Sequence, residues 1–111
     1  MRVLLIDDHT LVRRGLEQLL QSRGVDIAAS VNSGQEGIVR ARDLKPDIIL
    51  LDMKMPDMNG TETLKQLRAA GVTAPILMLT MSRDEQDLQA ALRKGAQGYL
   101  LKDMDPEDLV P

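Results

Sequence analysis

Five side chains sit where a short aliphatic run ends in a polar group. Asp7 and Asp8 follow Val3-Leu4-Leu5-Ile6, Asp52 follows Ile48-Ile49-Leu50-Leu51, Thr80 closes Ile76–Leu79, and Lys102 follows Tyr99-Leu100-Leu101. A lone charge at the end of an apolar strand is expensive to bury unless it is neutralised or partnered. Three converging carboxylates repel each other: two unit charges about 4 Å apart interact by roughly 4 kcal/mol at an effective dielectric near 20. Such a cluster needs a cation or protons to fill it. Oxygen ligands, with no His or Cys expected in reach, favour a hard cation, Mg2+ or Mn2+. Lys102 offers a point charge to a phosphate and Thr80 a hydrogen-bond donor. A carboxylate can also act as the nucleophile and form an aspartyl phosphate.

Convergence requires elements that bring these tips together. Aliphatic runs at Val3–Asp7, Ile27–Val31, Asp47–Leu51, Ile76–Thr80 and Gly98–Leu101 predict five strands. Amphipathic stretches at Leu11–Arg23, Gly34–Leu44, Thr61–Ala70 and Arg83–Lys94 predict the intervening helices, with a last one starting near Pro106. Ser33…Glu36 and Ser82…Glu85 have the form of capping boxes, and Asn59…Glu62 is a related start. Gly24, Gly71 and Gly95 stand where helices should end in a left-handed residue. Asp105-Pro106 reads as cap and first residue of the final helix.

Alternating βα units imply an α/β fold with a mostly parallel sheet and helices on both faces. The first, third and fourth strands are the most apolar and belong at the centre. The polar second strand and the short fifth belong at the edges. The expected order is 2-1-3-4-5, a flavodoxin-like (βα)5 arrangement, for which general rules place ligands beyond the strands' carboxyl ends. The sequence stops at Pro111, about one turn into the last helix, so that helix is expected to be truncated. A sheet face left partly bare would favour a homodimer.

Composition narrows the classes. The 111 residues suit one domain, residues 1–111, with 43% hydrophobic and 28% charged residues. A net charge of −3 argues against direct nucleic-acid binding. Cys is absent, which excludes disulfides and thiolate metal sites. Tyr99 is the one aromatic residue, which disfavours base stacking or a flavin sandwich. No apolar run is long enough for a membrane span, and the early Asp7-Asp8 disfavours a signal peptide, so a cytoplasmic protein is expected. Each residue has a plainer reading as well. Asp7-Asp8 suits a helix N-terminus, Thr80 suits any strand, Tyr99 a half-buried edge, and Lys102 a surface. His9 reads as a loop residue, and the Met residues as core filler.

Taken in order, Asp7-Asp8, Asp52 within LLDMKMPDMNG, Thr80, Tyr99 and Lys102 resemble the receiver domain of bacterial two-component response regulators over essentially the whole chain. Asp8-His9 and GYLLKDMDPEDL are similar to the NarL-type subfamily, in which a helix-turn-helix DNA-binding domain usually follows. The resemblance implies a phosphorylation-activated switch, not a conventional turnover enzyme, loaded by a sensor histidine kinase. It implies that Asp52 is the phosphoacceptor. Asp8, Asp52 and the Lys54 backbone carbonyl would bind Mg2+, with Asp7 acting through water. Lys102 would pair with the phosphoryl group, and Thr80 and Tyr99 would move as a switch. DNA would be reached only through an output domain that this sequence does not contain. The other readings are a phosphorylation-independent pseudo-receiver and an Asp-nucleophile phosphohydrolase. The intact acidic set disfavours the first. Lys54 disfavours the second, because it stands where such hydrolases carry a second Asp. The chain departs from the family at Asp103, where Pro is usual, at Met81, where a small residue is common, and at Lys54. Met81 and Lys54 are expected to alter the phosphate lifetime.

Overall fold

A computed structural model describes residues 1–52, 58, 60–80 and 98–101, with Thr80 and 98–101 placed by their backbone. The chain runs β1 (Arg2–Ile6), α1 (Thr10–Ser22), β2 (Asp26–Val31), α2 (Gly34–Leu44), β3 (Ile48–Asp52), α3 (Gly60–Ala69), β4 (Ile76–Thr80) and β5 (Gly98–Leu101). The strands form one parallel sheet in the order β2-β1-β3-β4-β5. Strand burial follows the expected ranking. β1 and β3 are buried along most of their length, whereas β2 is half exposed and lies at the edge. The β1–β2 register slips between Val3 and Leu4, leaving Ala28 as the extra residue of a bulge. The predicted Arg83–Lys94 helix, the Ser82 and Asn59 caps, Gly95 and the final helix lie outside the described residues.

Strand alternation divides the apolar residues between two cores. On one face Val3, Leu5, Leu50 and Leu79 pack with Leu16 and Leu20 of α1. On the other, Leu4, Ile6, Ile49, Leu51, Ile76 and Met78 pack with Ala41 of α2 and Leu64 and Leu67 of α3. Helices therefore cover both faces.

Local chemistry sets the helix ends. The Ser33 side chain accepts from the Glu36 backbone N–H at 3.2 Å and caps α2. Gly24 (φ +81°) and Gly71 (φ +87°) take the left-handed conformation after α1 and α3. α2 ends differently. Lys45 adopts φ 48°, ψ 64°, a conformation that a Cβ penalises, and its N–H donates to Ala41 O. Position 45 carried no glycine signal, and the Pro46 that follows helps to stop the helix there.

Two backbone ties hold the opposite edge. Arg2 N–H donates to Asp47 Oδ2 and its guanidinium to Leu44 O, both at 2.7 Å. Arg68 Nη1 donates to Val72 O and Ala74 O at 2.9 Å, and burial lowers its pKa from the ordinary arginine value.

Close approach of α2 to the sheet depends on Gly37. A Cβ there would run into the Ile6 side chain, including Cγ1 at 2.8 Å, and Ile6 is fully buried. Gly→Ala in an open helix gains about 1 kcal/mol, whereas overpacking a closed core costs about 1–3 kcal/mol. Overpacking should win. Gly37→Ala is expected to lose about 1–2 kcal/mol in urea unfolding, and an increase in stability would contradict the close packing.

Candidate functional site

Strand register builds the site. Ile6 pairs with Leu51 across β1 and β3, so the next residues, Asp7 and Asp52, emerge side by side. Alternation turns both toward the α1 face, in line with Leu5 and Leu50. Asp52 pairs with Leu79, and Thr80 with Leu101. Thr80 and the end of β5 therefore share this sheet edge with the carboxylates. The side chains of Thr80 and Tyr99, and the whole of Lys54, Met81, Lys102 and Asp103, lie outside what is described.

Asp7 is fully buried, Asp52 is 2% exposed, and the Asp8 side chain is 28% exposed. The β1–α1 loop fixes Asp7. Its Oδ1 accepts from the His9 backbone N–H at 2.8 Å, an Asx turn. Arg13, one turn into α1, donates from Nη1 to the Asp7 carbonyl at 2.8 Å, and Asp7 N–H continues the ladder to Val31 O at 3.0 Å. The plain reading of Asp7-Asp8 as helix caps does not hold. The N-cap of α1 is His9, which makes no side-chain cap, and the first turn contains no acid.

One sequence expectation is overturned. An oxygen-only cluster with no His in reach was expected, but the His9 ring closes over the acids. Its Nδ1 lies 3.3 Å from Asp7 Oδ1, 3.7 Å from Asp52 Oδ2 and 3.8 Å from Asp8 Oδ1. The signal was present in the sequence. A residue directly after an acid pair, in a loop too short to leave the strand tips, has little choice but to flank them.

The donor set fits a divalent cation. One ligand atom from each of Asp7, Asp8, His9 and Asp52 lies within 4.8 Å of all the others. Asp8 Oδ1 is buried, with no hydrogen-bond donor among the described residues. A cation would give that oxygen a partner and offset the repulsion. The other prominent groove, about 410 Å3 between Lys45-Pro46 and Gly71–Ala74, is at the far edge of the sheet and contains none of these carboxylates.

Residues 3–111 match the response regulator receiver domain family. The chain belongs to that family. This receiver domain is 46% identical over 109 residues to the nitrate/nitrite response regulator protein NarL of Escherichia coli K12, covering 97% of the chain and 50% of that protein. The likeness to NarL and NarP proteins makes it a NarL-type receiver domain. It spans about half the length of these curated relatives. Among solved structures, it is similar to the signal receiver domain of a Mycobacterium tuberculosis NarL regulator, with TM-score 0.93 and 30% identity, covering 98% of this chain and 89% of that one. It is also similar to a chain of the CheX–CheY–BeF3–Mg2+ complex of Borrelia burgdorferi, with TM-score 0.92 and 27% identity, covering 98% and 83%. The receiver domain is thus a two-component signalling module and not a member of a conventional enzyme family. No helix among its described residues is long and apolar enough to cross a membrane.

Repulsion in the receiver's acidic cluster has a measurable consequence. Asp7→Asn keeps an oxygen for the His9 N–H and removes one charge. In chelator, its unfolding free energy should exceed that of wild type by about 1–3 kcal/mol. A less stable Asp7→Asn protein in urea titration would mean that the acids are not in net repulsion.

Proposed function

We propose that this receiver domain is a phosphorylation-activated switch whose phosphoacceptor is Asp52. The observation that carries the reading is the placement of the Asp52 carboxylate, 2% exposed at a central strand tip beside Asp7 and the His9 ring. An ordinary loop aspartate has no reason to be held there by one of the sheet's central apolar strands. The donor is a phosphohistidine on a sensor kinase, as membership of a NarL-type family suggests. An Asp52 oxygen attacks phosphorus, the P–N bond of the phosphohistidine breaks, and the electron pair leaves with the imidazole nitrogen, which takes up a proton. Little covalent chemistry is asked of the protein, so its contribution is positioning and electrostatics.

Asp8 and Asp52 would hold Mg2+, with the Lys54 carbonyl as a third protein ligand and Asp7 acting through water. The similar Borrelia complex includes Mg2+ together with BeF3, which supports the same ion here. Bound there, Mg2+ would offset charge on the phosphoryl oxygens. Lys102 would pair with the phosphoryl group, and the Thr80 hydroxyl would donate to one of its oxygens. Phosphorylation takes Asp52 from about −1 to about −2. Thr80, at the tip of β4, and Tyr99, which pairs with Met78 on the neighbouring β5, would carry that change to the surface. In a longer protein with a helix-turn-helix output domain, the readout would be transcription.

Incubation of the chain with acetyl phosphate and Mg2+ should add the mass of one phosphoryl group. Asp52→Asn should remain unmodified, and Lys102→Ala should be modified more slowly. Absence of the adduct in wild type would favour a pseudo-receiver that works by binding alone.

A further inference from the structure

His9 has no part in the transfer described above, yet its ring is the most unexpected feature of the site. Three carboxylates from two strand ends surround one nitrogen, Nδ1, at 3.3, 3.7 and 3.8 Å. The ring is not there because of apolar packing, since 54% of the side chain is exposed. The backbone holds it over the site: the His9 N–H is bound to Asp7 Oδ1, and the His9 carbonyl accepts from Arg13 N–H at 2.9 Å, in the first turn of α1.

Neighbouring ligands of an octahedral cation with bonds of about 2.1 Å lie about 3.0 Å apart, and opposite ligands about 4.2 Å apart. The observed separations fall between these values. The ring nitrogen therefore stands within coordinating range of Asp8 and Asp52, whose ligand oxygens belong to the same group within 4.8 Å.

We propose that His9 Nδ1 is a ligand of this cation site and makes it selective for cations that accept nitrogen, Mn2+ and Co2+ over Mg2+. Imidazole suits transition cations rather than Mg2+, least strongly Mn2+, and affinity at a mixed nitrogen and oxygen site rises from Mn2+ to Co2+. Mg2+ gains little from a nitrogen ligand and dehydrates reluctantly. Mg2+ held by oxygen ligands has no need of the half-exposed ring. The site therefore has two ligand sets, oxygens alone for Mg2+ and carboxylates plus His9 for Mn2+ or Co2+. The inference rests on the cation site proposed above, but it is tested by a different readout.

The chain contains one histidine, so an untagged protein reports on His9 alone. Pulsed electron paramagnetic resonance of the Mn2+-loaded chain should show 14N modulation from a directly bound imidazole, and His9→Gln should abolish it. Calorimetric titration should show Mn2+ and Co2+ affinity falling on the order of tenfold in His9→Gln and His9→Ala. Mg2+ affinity should stay within about twofold of wild type. Bound Mn2+ without nitrogen modulation, or equal losses for all three cations, would overturn the His9 assignment and leave the carboxylate site intact. A wild-type chain that binds none of them would instead overturn the cation site itself.

Discussion

Everything at this site depends on the mutual repulsion of carboxylates held at adjacent strand tips. Left in solution, Asp7, Asp8 and Asp52 would separate. Here the pairing of Ile6 with Leu51 sets the backbone from which two of them emerge, and the third follows directly in the loop. Their ligand oxygens lie within 4.8 Å of one another, and two unit charges about 4 Å apart repel by roughly 4 kcal/mol at an effective dielectric near 20. A marginally stable domain carries such a load only if the rest of it is closely packed.

The remainder of the fold supplies that packing. Two cores grip the sheet from opposite sides, and the strands bearing the acids, β1 and β3, are the most deeply buried. Gly34 and Gly37 let α2 lie against α3 and β1. A Cβ at Gly34 would meet Thr63 Oγ1 at 2.5 Å. The stored repulsion is also what makes the site responsive. A cation relieves it, and a phosphoryl group redistributes it, so occupancy of the tips becomes a change in free energy that the surrounding packing must accommodate.

Strand order, the cores and the three acids were legible in the sequence because each leaves a local signature. Continuous apolar runs mark central strands, and a carboxylate ending such a run marks a tip. Ser33…Glu36 and the glycines at 24 and 71 likewise announced their roles. What the sequence concealed depends on distant geometry. Lys45 in a left-handed turn carries no glycine to announce it. Gly37 looks like a weak helix residue until Ile6 is found beneath it. His9 follows the acid pair directly, which puts its backbone beside the strand tips, but the apolar pattern says nothing of where its half-exposed ring will lie. Arg13 gave no sign that it would reach back to the Asp7 carbonyl. The strand boundaries differ from expectation by one residue at β1, β2 and β3, which leaves Asp7 just past a strand and Asp52 at the end of one.

The most direct test of a strained, cation-seeking cluster is thermal unfolding of the metal-free chain across a Mg2+ titration. Binding to the folded state alone stabilises by about 2.7 kcal/mol at a hundredfold excess over Kd. Wild type should therefore melt progressively higher as Mg2+ rises, while Asp52→Asn should start higher and respond far less. A wild-type melting temperature indifferent to Mg2+, or an Asp52→Asn protein that gains as much as wild type, would contradict a cluster held in repulsion until a cation fills it.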